Sequence, residues 1–159
     1  MIILDTSVIS ELMLPKPVAA VLHWMSGQPA GVLHVTTISY AEILFGLHVM
    51  PDGRRRQRLA EQAENMFRED FAGRVLGFDM AAAPAYATIV GTRQQSGHPL
   101  HPVDGMIVAI AQAHGAAIAT RDSDLAGCGV PIVNPWGFGD PNWPKASSTA
   151  PGRVVLRGT

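Results

Sequence analysis

Cysteine is almost absent from this 159-residue chain, in which Cys128 stands alone. A single cysteine excludes an internal disulfide framework and any metal site built from several thiolates. It also favours a reducing compartment, so we expect a cytoplasmic protein. No apolar run reaches the roughly 18 residues of a membrane span, and the chain enters a strand-like segment without a charged leader. We therefore expect neither membrane insertion nor processing.

Lysine and net charge are equally scarce. Only Lys16 and Lys145 occur against ten arginines, and the formal net charge at pH 7 is -1. Neither lysine lies in a recognisable catalytic setting, which argues against lysine-based chemistry. Because there is no global basic field, a nucleic-acid partner would have to be held by a local patch or through metal ions.

What the sequence does contain is a succession of short apolar runs and helical patterns. Buried strands are predicted at residues 2–4, 32–35, 75–78 and 116–119, with 132–133 as a fifth. Helices are predicted at residues 8–14, 18–25, 40–48, 54–71, 81–95 and 104–114. Strands that are apolar throughout and separated by helices are typical of a parallel sheet covered on both faces. We therefore predict a three-layer α/β/α fold with a central parallel sheet of four to five strands.

The two ends of the chain differ in composition. Residues 1–139 contain all the predicted strands and helices, and 47% hydrophobic residues are enough for one compact domain. Residues 140–159 are rich in proline, glycine and serine, with no periodic apolar pattern beyond a short run at 154–156. We predict one domain followed by a loosely ordered tail.

Acidic residues follow the predicted strands. Asp5 comes directly after the first strand, Asp122 follows the fourth, and Glu42 lies early in the helix after the second. Asp104 opens the helix at 104–114, which is apolar or small nearly all round and is therefore predicted to be central and buried. Because ligands bind beyond the carboxyl ends of parallel strands, we expect these four side chains to converge there.

Four converging carboxylates would repel one another unless a cation compensates their charge. Oxygen ligands without a cysteine or histidine cluster favour Mg²⁺ or Mn²⁺ over zinc. Each acid also has a simpler structural interpretation. Asp5 is suited to cap the first helix and Asp104 to cap its own, Asp122 suits a turn, and Glu42 a solvated helix position. Asp124 competes with Asp122 for the last place, although we favour a solvated turn for it.

In its motifs and their order, the chain resembles the PIN domain, and more closely the VapC-like toxins and their FitB-like relatives of type II toxin–antitoxin systems. The resemblance covers residues 1–136. It rests on LDTSVISE at 4–11, TISYAEILFGL at 37–47, DGMIVA at 104–109, ATRD at 119–122 and VNPW at 133–136.

This resemblance implies a metal-dependent endoribonuclease that acts as the toxin of a toxin–antitoxin pair. The acidic quartet would be Asp5, Glu42, Asp104 and Asp122. Asp5 and Asp104 would bind Mg²⁺, with Mn²⁺ as an alternative, and the other two would bind it directly or through water. The metal would activate a water that attacks the RNA phosphate. The resemblance further implies support from the hydroxyls of Thr6 and Thr120, a homodimer, and a DNA-binding antitoxin partner.

Substrate contacts are predicted from arginines. Arg54 and Arg55 begin a basic run at 54–58, although a solvated helical face is an equally simple interpretation. Arg93 and Arg121 lie nearer the predicted pocket and are suited to contact the RNA backbone. The His-Pro-rich segment at 98–102 is interpreted as a rigid loop leading to Asp104, and the aromatic residues as core or dimer contacts.

Other enzyme classes lack their motifs here. No second aspartate follows Asp5 at the spacing of haloacid-dehalogenase-like phosphatases, and no glycine-rich nucleotide loop follows any strand. A receiver-type phosphoacceptor would need adjacent acids and a strand-end lysine, and both are missing. The remaining rival is a PIN-like module that binds RNA or protein without cleaving it.

Overall fold

The central sheet has five parallel strands in the order β3-β2-β1-β4-β5. The computed structural model describes residues 1–29 and 31–137, so the predicted tail at 140–159 and the domain boundary at 139 lie outside the described residues. The strands are β1 (Ile2–Leu4), β2 (Leu33–Thr36), β3 (Val75–Leu76), β4 (Ala117–Ala119) and β5 (Ile132–Val133). The predicted parallel sheet is confirmed.

Two strands are shorter than predicted. β3 pairs with β2 through Val35 opposite Val75 and Thr36 opposite Leu76. Because β2 ends at Thr36, the predicted strand residues 77 and 78 have no neighbouring strand to pair with. At the start of β4, the Ala116 N–H donates to the carbonyl of residue 111 at 2.8 Å, so it completes the preceding helix end instead of joining the sheet.

Within residues 1–29 and 31–137, six α-helices flank the sheet. They are α1 (Thr6–Leu12), α2 (Ala19–Ser26), α3 (Thr37–His48), α4 (Arg54–Asn65), α5 (Ala82–Gln95) and α6 (Pro102–Ala113). The helix predicted at 54–71 is interrupted, because α4 is followed by a π-helical turn, Met66–Asp70, that the Phe71 N–H closes on the Met66 carbonyl at 2.9 Å. Within the part of the chain described, no helix combines the length and apolarity needed to cross a membrane.

Each face of the sheet contacts its own hydrophobic core, which gives the three layers predicted. Leu4 of β1 and Ala119 of β4 face a core formed with α1 to α4. Ile3 and Ile118, their chain neighbours, face a second core formed with α5 and α6. Successive strand residues point to opposite faces, so the same short strands supply both cores.

The α1–α2 connection is held by a buried carboxylate. Glu11 is only 6% exposed, and its Oε1 accepts the Val18 N–H at 2.7 Å. Val18 caps α2 without a side-chain hydrogen bond of its own. Glu11 therefore joins the end of α1 to the start of α2.

We expect Glu11→Ala to lower the free energy of unfolding by about 1–2 kcal/mol, because the Val18 N–H loses its acceptor and a buried side chain is removed. Glu11→Gln should retain most of the stability, since its amide oxygen still accepts. Urea denaturation of the three proteins measures the difference. Equal losses in both variants would contradict the assigned hydrogen bond.

Candidate active site

Asp5 lies at the carboxyl end of β1 and at the start of α1. It is 6% exposed and caps α1. Its Oδ2 accepts hydrogen bonds from the Ser7 N–H at 3.4 Å, the Ser7 hydroxyl at 2.7 Å and the Thr120 hydroxyl at 2.8 Å. Its Oδ1 accepts none from residues 1–29 or 31–137. The capping interpretation is therefore correct, and one carboxylate oxygen is still available to a ligand.

Thr6 and Glu42 join the first turn of α1 to α3. The Thr6 hydroxyl donates to Glu42 Oε2 at 2.6 Å, and Glu42 is half-buried. The interpretation of Glu42 as a freely solvated helix position is therefore wrong. The start of α3 is fixed by Thr36, whose side chain accepts the Ser39 N–H at 2.9 Å.

Asp122 is linked to Asp5 through the Thr120 hydroxyl, by two hydrogen bonds. The Thr120 hydroxyl, which donates to Asp5, also accepts the Asp122 N–H at 3.0 Å. The Asp122 Oδ1 in turn accepts the Asp124 N–H at 2.8 Å, so Asp122 caps a short 3-10 turn, Ser123–Leu125. Asp124 itself is exposed. Of the two aspartates, the structure brings Asp122 to the acidic group.

Asp104 lies inside the first turn of α6 and does not cap it, so the capping interpretation is wrong. The helix begins at Pro102 with His101 at the capping position, and the His101 side chain makes no capping hydrogen bond. Proline suits the first helical position because its missing N–H has no partner there and its φ is already helical. The segment predicted as a loop thus becomes helix two residues before Asp104. A carboxylate in the first turn also interacts favourably with the helix dipole.

The four acids share one electrostatic field. Burial raises the pKa of Asp104, and the charges of Asp5, Asp122 and Glu42 raise it further, in that order, while His101 lowers it. A bound cation would relieve this repulsion, and an all-carboxylate donor set suits Mg²⁺ or Mn²⁺.

These acids do not form a closed cage. Within residues 1–29 and 31–137, no group of three or more His, Cys, Asp or Glu side chains is placed to hold a metal ion. The arrangement still fits Mg²⁺, which is bound through one or two carboxylates and keeps several water ligands.

The sequence from residue 2 to residue 129 matches the family model of the PIN domain. The chain belongs to the PIN-domain family. This PIN domain is 43% identical over 137 residues to VapC ribonuclease Y4jK of Sinorhizobium fredii. The aligned region covers 86% of this chain and 98% of that protein. It is 34% identical to Toxin FitB of Neisseria gonorrhoeae, over 86% of this chain and 99% of the toxin.

Solved structures agree with this assignment. The PIN domain superposes on a chain of the FitAcB crystal structure from Neisseria gonorrhoeae with a TM-score of 0.79, at 34% identity, over 86% of this chain and 99% of that one. A DNA-bound VapBC structure from Salmonella typhimurium gives a TM-score of 0.70 at 21% identity, which supports the fold.

The four predicted arginine contacts lie in different surroundings. None of their charges is among those that shift the pKa of Asp104. Arg54 and Arg55 are exposed at the start of α4. Arg93 donates from Nη2 to the Asp124 carbonyl at 3.1 Å, so its end is engaged by the protein. Arg121 is exposed and lies over the ring of Trp136.

The aromatic residues divide between core and surface. Trp24 is 3% exposed and Phe67 4% exposed, so both belong to the core. Phe45 is 69% exposed on α3, beside Leu44 and Val49, which are also exposed. An exposed apolar group of this kind is typical of a protein-contact surface.

Two neighbours of the acids were not singled out in the sequence analysis. His101 was interpreted as part of a loop, yet its charge lowers the pKa of Asp104. It lies three residues before Asp104, which is one helical turn, and this spacing was a usable signal. Trp136 was interpreted as a core or dimer contact, and nothing in its local sequence indicated contact with Arg121.

The raised pKa of Asp104 gives a pH-dependent stability. The folded state binds this proton more tightly than the unfolded state, so stability falls as pH rises from the ordinary value of 3.8 through the folded pKa. In EDTA we therefore expect Asp104→Asn to be more stable than the parent at pH 7, with a gain that disappears as pH falls below about 4.

Thermal unfolding across pH measures this gain. Asp79→Asn provides the control, because Asp79 is an exposed capping residue whose Oδ1 accepts the N–H groups of Ala81 and Ala82. If Asp104→Asn were less stable than the parent at pH 7, this would contradict the raised pKa of Asp104 and the repulsion from its neighbouring carboxylates.

Proposed function

We propose that this PIN domain is the ribonuclease toxin of a toxin–antitoxin pair and hydrolyses RNA phosphodiester bonds with Mg²⁺. The observation that carries the proposal is the shared field at the sheet edge, where Asp5, Asp122 and Glu42 all raise the pKa of Asp104. The 43% identity to a VapC ribonuclease supports RNA as the substrate.

Asp5 and Asp104 are the residues proposed to hold the metal, with Glu42 and Asp122 joining directly or through water. Bound Mg²⁺, or Mn²⁺ in its place, supplies charge stabilisation at the scissile phosphate and a lowered pKa for water.

The chain's own residues fix the carboxylates before any ligand binds. Three hydrogen bonds at Oδ2 hold Asp5 in one orientation. The Thr6 hydroxyl fixes Glu42, and the Asp122 N–H is tied to Thr120. Such preorganisation means that little reorganisation is needed when charge develops on the phosphate.

The proposed partners are RNA, a DNA-binding antitoxin and a second copy of this chain, and the proposed compartment is the cytoplasm. Support for protein partners comes from the exposed apolar residues Leu44, Phe45 and Val49. Further support comes from the relative that was solved as FitAB bound to a DNA fragment, at 34% identity.

The test is to incubate the purified protein with total bacterial RNA in Mg²⁺, in Mn²⁺ or in EDTA. Discrete products that form with metal and not in EDTA are the expected result. Thermal unfolding with added Mg²⁺ gives a second readout, since a ligand that binds only the folded state raises Tm. The rise should be absent in Asp104→Asn.

The rival function is RNA or protein binding without cleavage. Binding of RNA with no cleavage in either metal, and no effect of Mg²⁺ on Tm, would overturn the nuclease proposal and favour the rival.

A further inference from the structure

Arg121 lies in the chain between two residues of the acidic site. Its neighbours are Thr120, which donates to Asp5, and Asp122, whose charge acts on Asp104. The Arg121 guanidinium carbon is 4.9 Å from the centroid of the Trp136 ring. A cation within about 6 Å of an indole face is held there by attraction to the ring. Arg121 is thus an exposed cation that is held against an indole ring and lies between two residues of the acidic site in the chain.

The backbone explains why Arg121 and Trp136 meet. The Thr120 N–H donates to the Val133 carbonyl at 2.9 Å, which keeps the chain after β4 beside the chain after β5. Thr120 directs its hydroxyl towards Asp5, and the guanidinium of the next residue, Arg121, lies over a ring just after β5. Trp136 lies there in a 3-10 turn, Pro135–Gly137, and packs against the core under α1 to α4.

The Arg121 guanidinium has N–H groups that can donate hydrogen bonds to another molecule. A guanidinium carries five N–H donors, and a cation–π contact with an indole does not use them as hydrogen-bond donors. The ion pairs found within the described residues are Arg56 with Asp52 and Arg68 with Glu64, so Arg121 has no carboxylate partner there. Its charge is also not among those that shift the pKa of Asp104, so it does not neutralise the acidic group.

We propose that Arg121, oriented by Trp136, binds a backbone phosphate of the RNA next to the one that is cleaved. This inference rests on the proposed function and names a residue that holds its substrate. A guanidinium pairs with phosphate through two parallel hydrogen bonds, whereas a lysine acts only as a point charge. The acidic quartet repels the polyanionic substrate, and a preoriented cation beside it offsets that repulsion locally.

Binding is measured in an Asp5→Asn background, so that cleavage does not interfere. The probe is a fluorescent single-stranded RNA of mixed sequence, titrated at several salt concentrations. Arg121→Ala should weaken binding about tenfold, as expected for a lost charge-assisted contact. It should also reduce the dependence of log affinity on log salt by about 0.7, the value for one phosphate on a single strand.

Two further variants separate substrate binding from a structural role. Arg121→Lys keeps the charge, so the salt dependence should stay while affinity falls. Trp136→Phe keeps a ring but weakens the stacking, so affinity should fall with an unchanged salt dependence. Arg68→Ala removes an equal exposed charge from the π-helical turn after α4, a residue not assigned to substrate binding, and should leave both quantities unchanged.

Several outcomes would overturn the inference. They are unchanged affinity and salt dependence in Arg121→Ala, an equal effect of Arg68→Ala, or no RNA binding by the Asp5→Asn background. The proposed function is judged separately by wild-type cleavage. If the wild type binds RNA without cutting it, the nuclease proposal fails, whereas a loss of binding in Arg121→Ala would still support the phosphate contact.

Discussion

Replacing Asp5 with asparagine should lower the rate of RNA cleavage by about a hundredfold to a thousandfold while the fold stays intact. All three hydrogen bonds that Asp5 accepts from Ser7 and Thr120 end on Oδ2. An asparagine whose carbonyl oxygen occupies that position accepts the same three. Its amide nitrogen then replaces Oδ1, the oxygen left for a cation. Asparagine is also as good a helix cap as aspartate, so α1 keeps its start.

Two matched variants show what this effect depends on. Asp5→Ala removes the cap as well as the charge, and should lose about 1 kcal/mol of stability in addition to activity. Asp79→Asn makes the same chemical change at an exposed cap outside the site, and should retain full activity. Gel-based cleavage kinetics and urea denaturation on the same preparations provide both quantities. An Asp5→Asn protein that cuts RNA at the parental rate would exclude Asp5 from the chemistry.

Adding one methyl group at Gly105 should destabilise the protein by about 1–3 kcal/mol, the usual cost of overpacking a core. A Cβ there would lie 2.7 Å from Val90 Cγ2 and 3.1 Å from Tyr86 Cε2. Valine is stiff at its first side-chain torsion, so it has little room to move away. Relief must come from separating α5 and α6, and that shift would move Asp104, the residue before Gly105.

A second substitution tests the cause. In a Gly105→Ala, Val90→Ala double variant the 2.7 Å contact is removed, so the combined loss should be smaller than the sum of the two single losses. Gly91→Ala provides the control, because nothing lies within 4 Å of a Cβ at that position of α5. Alanine in an open helical position should stabilise the protein by about 0.5–1 kcal/mol. Additive losses in the double variant would show that the close approach of α5 to α6 is not the cause.

The layers of the fold were predictable because short apolar runs in the sequence indicate buried strands. The run that contains Ile3 and Leu4 is apolar throughout and does not alternate with polar residues, which indicates a strand covered on both faces. The limits of the elements were less predictable, since they depend on partners distant in sequence. β3 stops where β2 stops, and the π-helical turn after α4 has no marker in the local sequence that we recognised.

For the site, position after a strand was enough to nominate the acids, but not to assign their contacts. Asp122 and Asp124 are two residues apart. The N–H of Asp122 donates to the Thr120 hydroxyl and its charge acts on Asp104, whereas Asp124 is exposed. The start of α6 depended on whether Pro102 would end a loop or begin a helix. The position of Arg121 over Trp136 depends on the pairing of β4 with β5, which local sequence does not contain.

The position of β1 limits how this molecule can be switched off. Its three residues supply both hydrophobic cores, and Asp5 follows them directly. The two layers therefore cannot melt independently, and unfolding is expected to be a single cooperative event. Because β1 contributes to both cores, local opening of the site next to it costs a large free energy, unlike the opening of a site carried by a mobile lid. Apart from removal of the proposed metal, silencing that keeps the fold would then have to come from a second molecule that covers the acidic group.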